Sequence, residues 1–210
     1  MSRPLIAILD YGIGNLHSAQ KAVERVGADA RLTTDARVVE AADGVMLPGV
    51  GAMGRCMEAL EAAGLRELAL DTIASGKPFM GVCVGMQMLH TGSEEHGGVA
   101  GLGVFDGMVR LLPDGVKRPQ MQWNIVSSRR ANRLLDGLGE PVWVYFVHSY
   151  APELHADVVG VCDYGGPVGA VVERANVCGT QFHPEKSGTT GLALLGNFVR
   201  SCRAAVCGPT

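Results

Sequence analysis

At 210 residues, with 47% hydrophobic and 19% charged positions, the chain has ordinary globular composition, which excludes intrinsic disorder. Its net charge of −3, with no basic run longer than Arg129-Arg130, leaves nucleic-acid binding without an electrostatic footprint. No apolar run approaches membrane-spanning length, and Met1-Ser2-Arg3-Pro4 leads into a strand pattern rather than a leader, so a reduced, cytoplasmic protein with mostly inert cysteines is expected.

Leu5 to Leu9 is a continuous apolar run, as expected of a central strand buried on both faces. After the turn Asp10–Asn15, Leu16, Ala19, Val23 and Val26 share one face of a helix that Gly27 ends. Gly12-x-Gly14 invites a dinucleotide-binding reading, but His17 stands where the third glycine belongs, and that reading is rejected. A strand near 30–33, a short helix over 36–41 and a third strand over 44–47 follow. Pro48-Gly49-Val50-Gly51-Ala52-Met53-Gly54 is then a shaped loop able to turn backbone N–H groups toward an anion. Helical periodicity resumes from Met57 to Ala63 and again to about Ala74, before Gly76-Lys77-Pro78 turns the chain into a strand ending at Phe79-Met80. The alternation predicts an α/β fold, a doubly wound and mainly parallel sheet with helices on both faces. In such sheets function gathers at the carboxyl ends of the strands.

Gly81-Val82-Cys83-Val84-Gly85 lies at such an end, between a strand and the helical run Val84 to Leu89. Glycine, nucleophile and glycine at a strand-to-helix junction make a nucleophile elbow, whose tight turn leaves no room for flanking Cβ atoms. Cys83 then stands above a helix N-terminus, which favours thiolate, and the Val84 N–H is free to receive an oxyanion. The plain alternative is a small buried structural cysteine.

The second half consists of short β-patterned runs at 109–112, 123–127, 142–147, 157–162, 169–173 and 178–182, with a closing helix over 192–199. These predict antiparallel strands and hairpins continuing or flanking the parallel sheet. No repeat or linker interrupts the chain, so one domain over 1–210 is expected. His17, His90, His96 and His155 read as surface or capping residues. His148 and His183 each end an apolar strand run, where a side chain reaches the rim. In extended chain Glu185 lies on the same side as His183 and can fix its tautomer for proton transfer, with His148 the second candidate base. A zinc reading of His183 and Glu185 lacks a third ligand, and no metal is expected. The residues alone reach a Cys-His-Glu thiol hydrolase or acyl transferase.

Asp-Tyr-Gly-Ile-Gly-Asn (10–15), Leu-Pro-Gly-Val-Gly-Ala (47–52), Gly-Val-Cys-Val-Gly-Met-Gln (81–87), Tyr-Phe-Val-His-Ser-Tyr (145–150) and Gln-Phe-His-Pro-Glu-Lys-Ser-Gly (181–188) carry a family resemblance. Together they resemble the class I, triad-type glutamine amidotransferases, and within them the glutaminase subunits of imidazole glycerol phosphate synthase, from histidine biosynthesis. The resemblance implies attack by Cys83 on L-glutamine, with His183 as base and acid and Glu185 orienting it. It implies Val84 and Val50 as oxyanion donors, and Gly49, Gly51, Gln87 and Ser149 as glutamine-binding residues. It also implies a (βα)₈-barrel cyclase partner facing Asn15, Trp123, Tyr145 and Lys186, no cofactor, and a Pro48–Gly51 loop shaped by the filled partner. One departure stands out: Gln120 and Gln122 occupy positions where the family usually has His and Gly.

Overall fold

The computed structural model describes residues 3–207, with side chains described through Arg203. Its first half alternates strand and helix: β1 (Leu5–Leu9), α1 (Leu16–Arg25), β2 (Asp29–Thr33), α2 (Ala36–Ala41), β3 (Gly44–Gly49), α3 (Met53–Ala62), α4 (Leu65–Ala74), β4 (Phe79–Cys83) and α5 (Val84–Met88). β3 and β4 are buried at every position, which is why their sequences carry no polar alternation. The second half adds β5 (His90–Ser93), β6 (Val99–Ala100), β7 (Phe105–Leu111), β8 (Gln120–Ser128), β9 (Val142–His148), β10 (Tyr150–Pro152), β11 (Val158–Asp163), β12 (Pro167–Arg174), β13 (Val177–Thr180) and the long α6 (Gly188–Cys207).

The strands form a nine-stranded sheet, in the order β2-β1-β3-β4-β13-β12-β11-β8-β9, and a four-stranded sheet, β10-β7-β5-β6. Pairing is parallel from β2 through β13 and antiparallel from β13 to β9. The expected architecture is therefore present, with one addition that local pattern did not reveal. β13, expected among the antiparallel additions, also pairs in parallel with β4 and sits beside the elbow strand.

Three local expectations change. The helix after the Pro48 loop begins at Met53 rather than Met57, because Met53 is wholly buried and its N–H donates to the Glu95 carboxylate at 2.8 Å. That cap comes from 42 residues away and leaves no local signal. The closing helix runs well beyond 192–199 in both directions. His90 is not a surface residue: it is fully buried against Phe105, with Nε2 3.2 Å from Nε2 of His155. Burial and the neighbouring His155 hold its pKa down to about 4. His155 is itself half-buried in this pair, whereas His17 and His96 are exposed as expected.

Cys56, Cys83, Cys162, Cys178 and Cys202 are buried free thiols. Burial pushes Cys162 up to about 11 and Cys202 up to about 12, which keeps both unreactive at neutral pH. Among the described residues, no helix is long and apolar enough to cross a membrane.

Candidate active site

β4 ends in a sharp elbow. Cys83 has φ 54° and ψ −115°, a conformation that costs a non-glycine residue roughly 1–3 kcal/mol and persists only where the surroundings enforce it. Enforcement comes from β3, against which the elbow packs: a Cβ on Gly85 would lie 1.9 Å from the Leu47 carbonyl oxygen. The helix that follows spans only Val84–Met88, so the site relies on individual first-turn N–H groups rather than on a long helix dipole.

The parallel pairing of β13 with β4 sets Thr180 against Val82. Gln181 therefore emerges next to Cys83, and its Nε2 lies 3.7 Å from the sulfur. His183 follows two residues later, held through its backbone. Its N–H donates to the Tyr145 carbonyl at 3.1 Å, and its own carbonyl accepts from the Ser187 hydroxyl at 2.6 Å. The Ser187 oxygen also accepts the Tyr145 N–H at 3.0 Å, so one hydroxyl clips β9 to the histidine loop.

His183 Nδ1 lies 2.8 Å from Glu185 Oε1, with both side chains almost completely covered. A carboxylate can only accept, so Nδ1 carries the proton and Nε2 is left for the cysteine. Burial by itself lowers the His183 pKa. The hydrogen bonds and charges of Cys83 and Glu185 outweigh it and raise the value to about 9. Asn15 Nδ2, expected on the partner-facing rim, reaches the same Glu185 oxygen at 3.4 Å and lines the cavity.

The Pro48 loop is fastened on both sides of its first glycine. The Tyr11 hydroxyl donates to the Pro48 carbonyl at 2.5 Å, and the Cys56 thiol donates to the Val50 carbonyl at 3.2 Å. Val50 and Gly51 face the cavity. Gly49 does not line it; it packs against the elbow, where an added Cβ would lie 2.6 Å from the Gly85 nitrogen.

Cys83, Val84, Val50, Gly51, Gln87, Ser149, His183, Lys186 and Asn15 share one cavity of about 610 Å³, with Glu185 behind His183. Trp123 and Tyr145 stand outside it, paired across β8 and β9 with ring centroids 6.1 Å apart. Trp123 is 48% exposed, in line with Met121, Ile125 and Trp143, which also expose apolar surface.

Sequence reasoning passed over three members of this neighbourhood. Glu95 lines the cavity, Ser187 clips the histidine loop, and Gln181 contacts the sulfur. Only Gln181 left a usable signal: it precedes His183 by two residues in extended chain and so shares its side. Gln120, one of the two departures, is fully buried and lies 2.9 Å from His148 Nε2, while His148 Nδ1 lies 2.9 Å from the Tyr150 carbonyl. Both imidazole nitrogens are thus engaged away from the cysteine, and burial holds the His148 pKa down to about 4. Gln122 is exposed.

A family model described as glutamine amidotransferase class-I matches residues 7–202. Over 201 residues the chain is 49% identical to the imidazole glycerol phosphate synthase subunit HisH of Methanothermobacter thermautotrophicus, spanning 95% of this chain and 100% of that one. It is 45% identical over 206 residues to the HisH subunit of Deinococcus radiodurans, spanning 96% of each. Among solved structures, a glutamine amidotransferase and PurLQS from Thermotoga maritima share the fold, with TM-scores of 0.72 and 0.73 at 19% and 18% identity. Each comparison covers 95% of this chain and 99% of the other. With the elbow, the paired imidazole and carboxylate, and this match along nearly its whole length, the chain belongs to the class I glutamine amidotransferases, in the branch of the HisH glutaminase subunits of imidazole glycerol phosphate synthase.

Proposed function

We propose that the chain, working as one amidotransferase domain over residues 1–210, hydrolyses L-glutamine through Cys83, His183 and Glu185. Cys83 Sγ attacks the side-chain carboxamide carbon, its thiol proton having passed to His183 Nε2. The tetrahedral oxyanion accepts from the Val84 N–H and, once the loop is correctly turned, from the Val50 N–H. His183 returns the proton to the departing nitrogen, which leaves as ammonia, and Glu185 holds the imidazole in register throughout. Water then attacks the γ-glutamyl thioester carbon, and its expulsion of Cys83 gives glutamate and the free thiol. Glutamine itself is held by Gln87, Glu95, Ser149 and the Val50–Gly51 backbone, with the Glu95 carboxylate suited to the α-ammonium group, while Gly49 acts behind them by letting the loop pack on the elbow.

The observation carrying this reading is the 2.8 Å bond between His183 and Glu185 on a loop that the β4–β13 register delivers beside Cys83. Ammonia passes to a (βα)₈-barrel cyclase, which converts a phosphoribosyl-formimino carboxamide ribotide to imidazole glycerol phosphate and aminoimidazole carboxamide ribotide. The apolar outer face of β8–β9, with Trp123 and Tyr145, and the rim residues Asn15 and Lys186 are the surface offered to it. The complex works in the cytoplasm without metal or cofactor, and binds neither nucleic acid nor membrane.

The test is glutamate release from glutamine by the purified chain, alone and then with the cyclase and its ribotide. Release that is negligible alone and rises steeply in the complex supports a partner-gated glutaminase. Vigorous release alone, unchanged by the cyclase, would move the protein to an ungated hydrolase.

A further inference from the structure

The cavity wall contains a chain of hydrogen bonds whose direction is set by one backbone atom. The Tyr150 carbonyl can only accept, and Gln87 Nε2 lies 2.8 Å from it. The second hydrogen on that nitrogen is directed at Gln181 Oε1, 3.0 Å away. Gln181 must then turn its own nitrogen the other way, toward Cys83 Sγ at 3.7 Å. Reversing either amide would set donor against donor or carbonyl against carbonyl, at a cost that a buried site does not tolerate. Gln181 is 0% exposed and stands behind the cavity wall, so water cannot substitute for a partner missing from it. With both its amide hydrogens committed inside the wall, Gln87 has only its oxygen left for the cavity it lines.

We propose that Gln181 is a further catalytic residue: its amide donates to the Cys83 sulfur and, through the same group, fixes Gln87 with its oxygen toward the glutamine. An amide N–H can only donate, so it favours the sulfur while it carries charge, as nucleophile and again as leaving group. The inference rests on Cys83 being the nucleophile. Other titratable or charged groups around the sulfur are His183 and Glu185 beyond β13, Tyr11 after β1, Cys56 on α3, Glu95 after β5, His148 on β9 and Lys186 at the mouth. The Gln181→Met substitution leaves all of them in place.

The test uses the assembled complex and Gln181→Met, which keeps the length of the side chain and removes the donor. Peptide-resolved alkylation of Cys83 by iodoacetamide at neutral pH, without glutamine, is expected to slow roughly tenfold or more, the scale of a hydrogen bond to a charged group. The glutamine-dependent kcat should fall by a similar factor and KM should rise, while ammonia-dependent synthesis by the cyclase stays unchanged and reports correct assembly. Gln181→Glu, which keeps an acceptor for Gln87 but offers the sulfur a carboxylate oxygen, should retain KM and lose kcat. If the Met variant does not assemble, wild-type kcat in the Glu variant overturns the proposal. Alkylation and kcat at wild-type levels in the assembled variants would overturn the role of Gln181. A Cys83→Ala complex that kept glutamine-dependent synthesis would overturn the underlying assignment instead.

Discussion

Val82 and Thr180 are register partners on adjacent parallel strands, although 98 residues separate them in the chain. One residue beyond each lie Cys83 and Gln181, and two further along lies His183. A shift of one residue in this pairing would turn every side chain on β13 to the opposite face and remove the imidazole from the sulfur. The β4–β13 register is therefore the structural fact on which the site depends.

Removing the sulfur separates the two half-reactions. In the complex with the cyclase, Cys83→Ala is expected to abolish glutamine-dependent synthesis while synthesis from added ammonia survives. Parallel assays with the two nitrogen sources check this, and failure of ammonia to rescue the variant would contradict the division of labour.

The Val50 N–H is separable from the rest of the loop. Val50→Pro deletes that donor and is expected to lower kcat for glutamine by roughly two to three orders of magnitude, the usual loss for an oxyanion donor. Binding of glutamine to the variant, followed by calorimetry, should weaken far less. A kcat within a factor of about three of wild type would remove Val50 from the oxyanion hole.

Stability should peak near pH 6.5 and decline on either side of it. His183 rises from an ordinary 6.5 to about 9 in the folded state, so its contribution is complete below 6.5 and is lost as pH climbs through about 9. His90 and His148 are held near 4, so theirs is complete above 6.5 and is lost as pH falls through about 4. At about 1.4 kcal/mol per pKa unit, each group carries on the order of 3 kcal/mol. Urea midpoints across pH check the profile. Glu185→Gln should draw the alkaline descent to lower pH, and a flat alkaline limb in the wild type would contradict a charged His183.

The elbow's geometry makes a steric prediction. In Gly85→Ala the new methyl would lie 1.9 Å from a backbone oxygen of β3, which cannot rotate away as a flexible side chain would. Loss of about 1–3 kcal/mol in denaturant unfolding is expected, together with loss of glutaminase activity as Cys83 shifts.

The β8–β9 face should matter only in the complex. Trp123→Ala is expected to leave unfolding within about 0.5 kcal/mol of wild type, since the ring is half exposed. It should weaken cyclase binding by roughly tenfold or more, as an aromatic anchor does. Titration of the two chains decides it, and unchanged affinity would place the cyclase elsewhere.

Much of this protein was fixed by its sequence alone. The continuous apolar runs of β1, β3 and β4 and the glycines around Cys83 are local features, set by burial and backbone sterics, and so is the two-residue spacing of His183 and Glu185, although a 3-10 turn over Pro184–Lys186 rather than the expected extended chain brings that pair together. They specified a parallel sheet, an elbow and a candidate triad. Tertiary structure decided what depends on distant partners. The pairing of β13 beside β4, the capping of Met53 by Glu95, the burial of His90 and the direction of the Gln87–Gln181 amides all join segments far apart in the chain. Hydrogen bonds and burial of that kind have no periodicity to read, because their geometry exists only once the sheet has closed around the site.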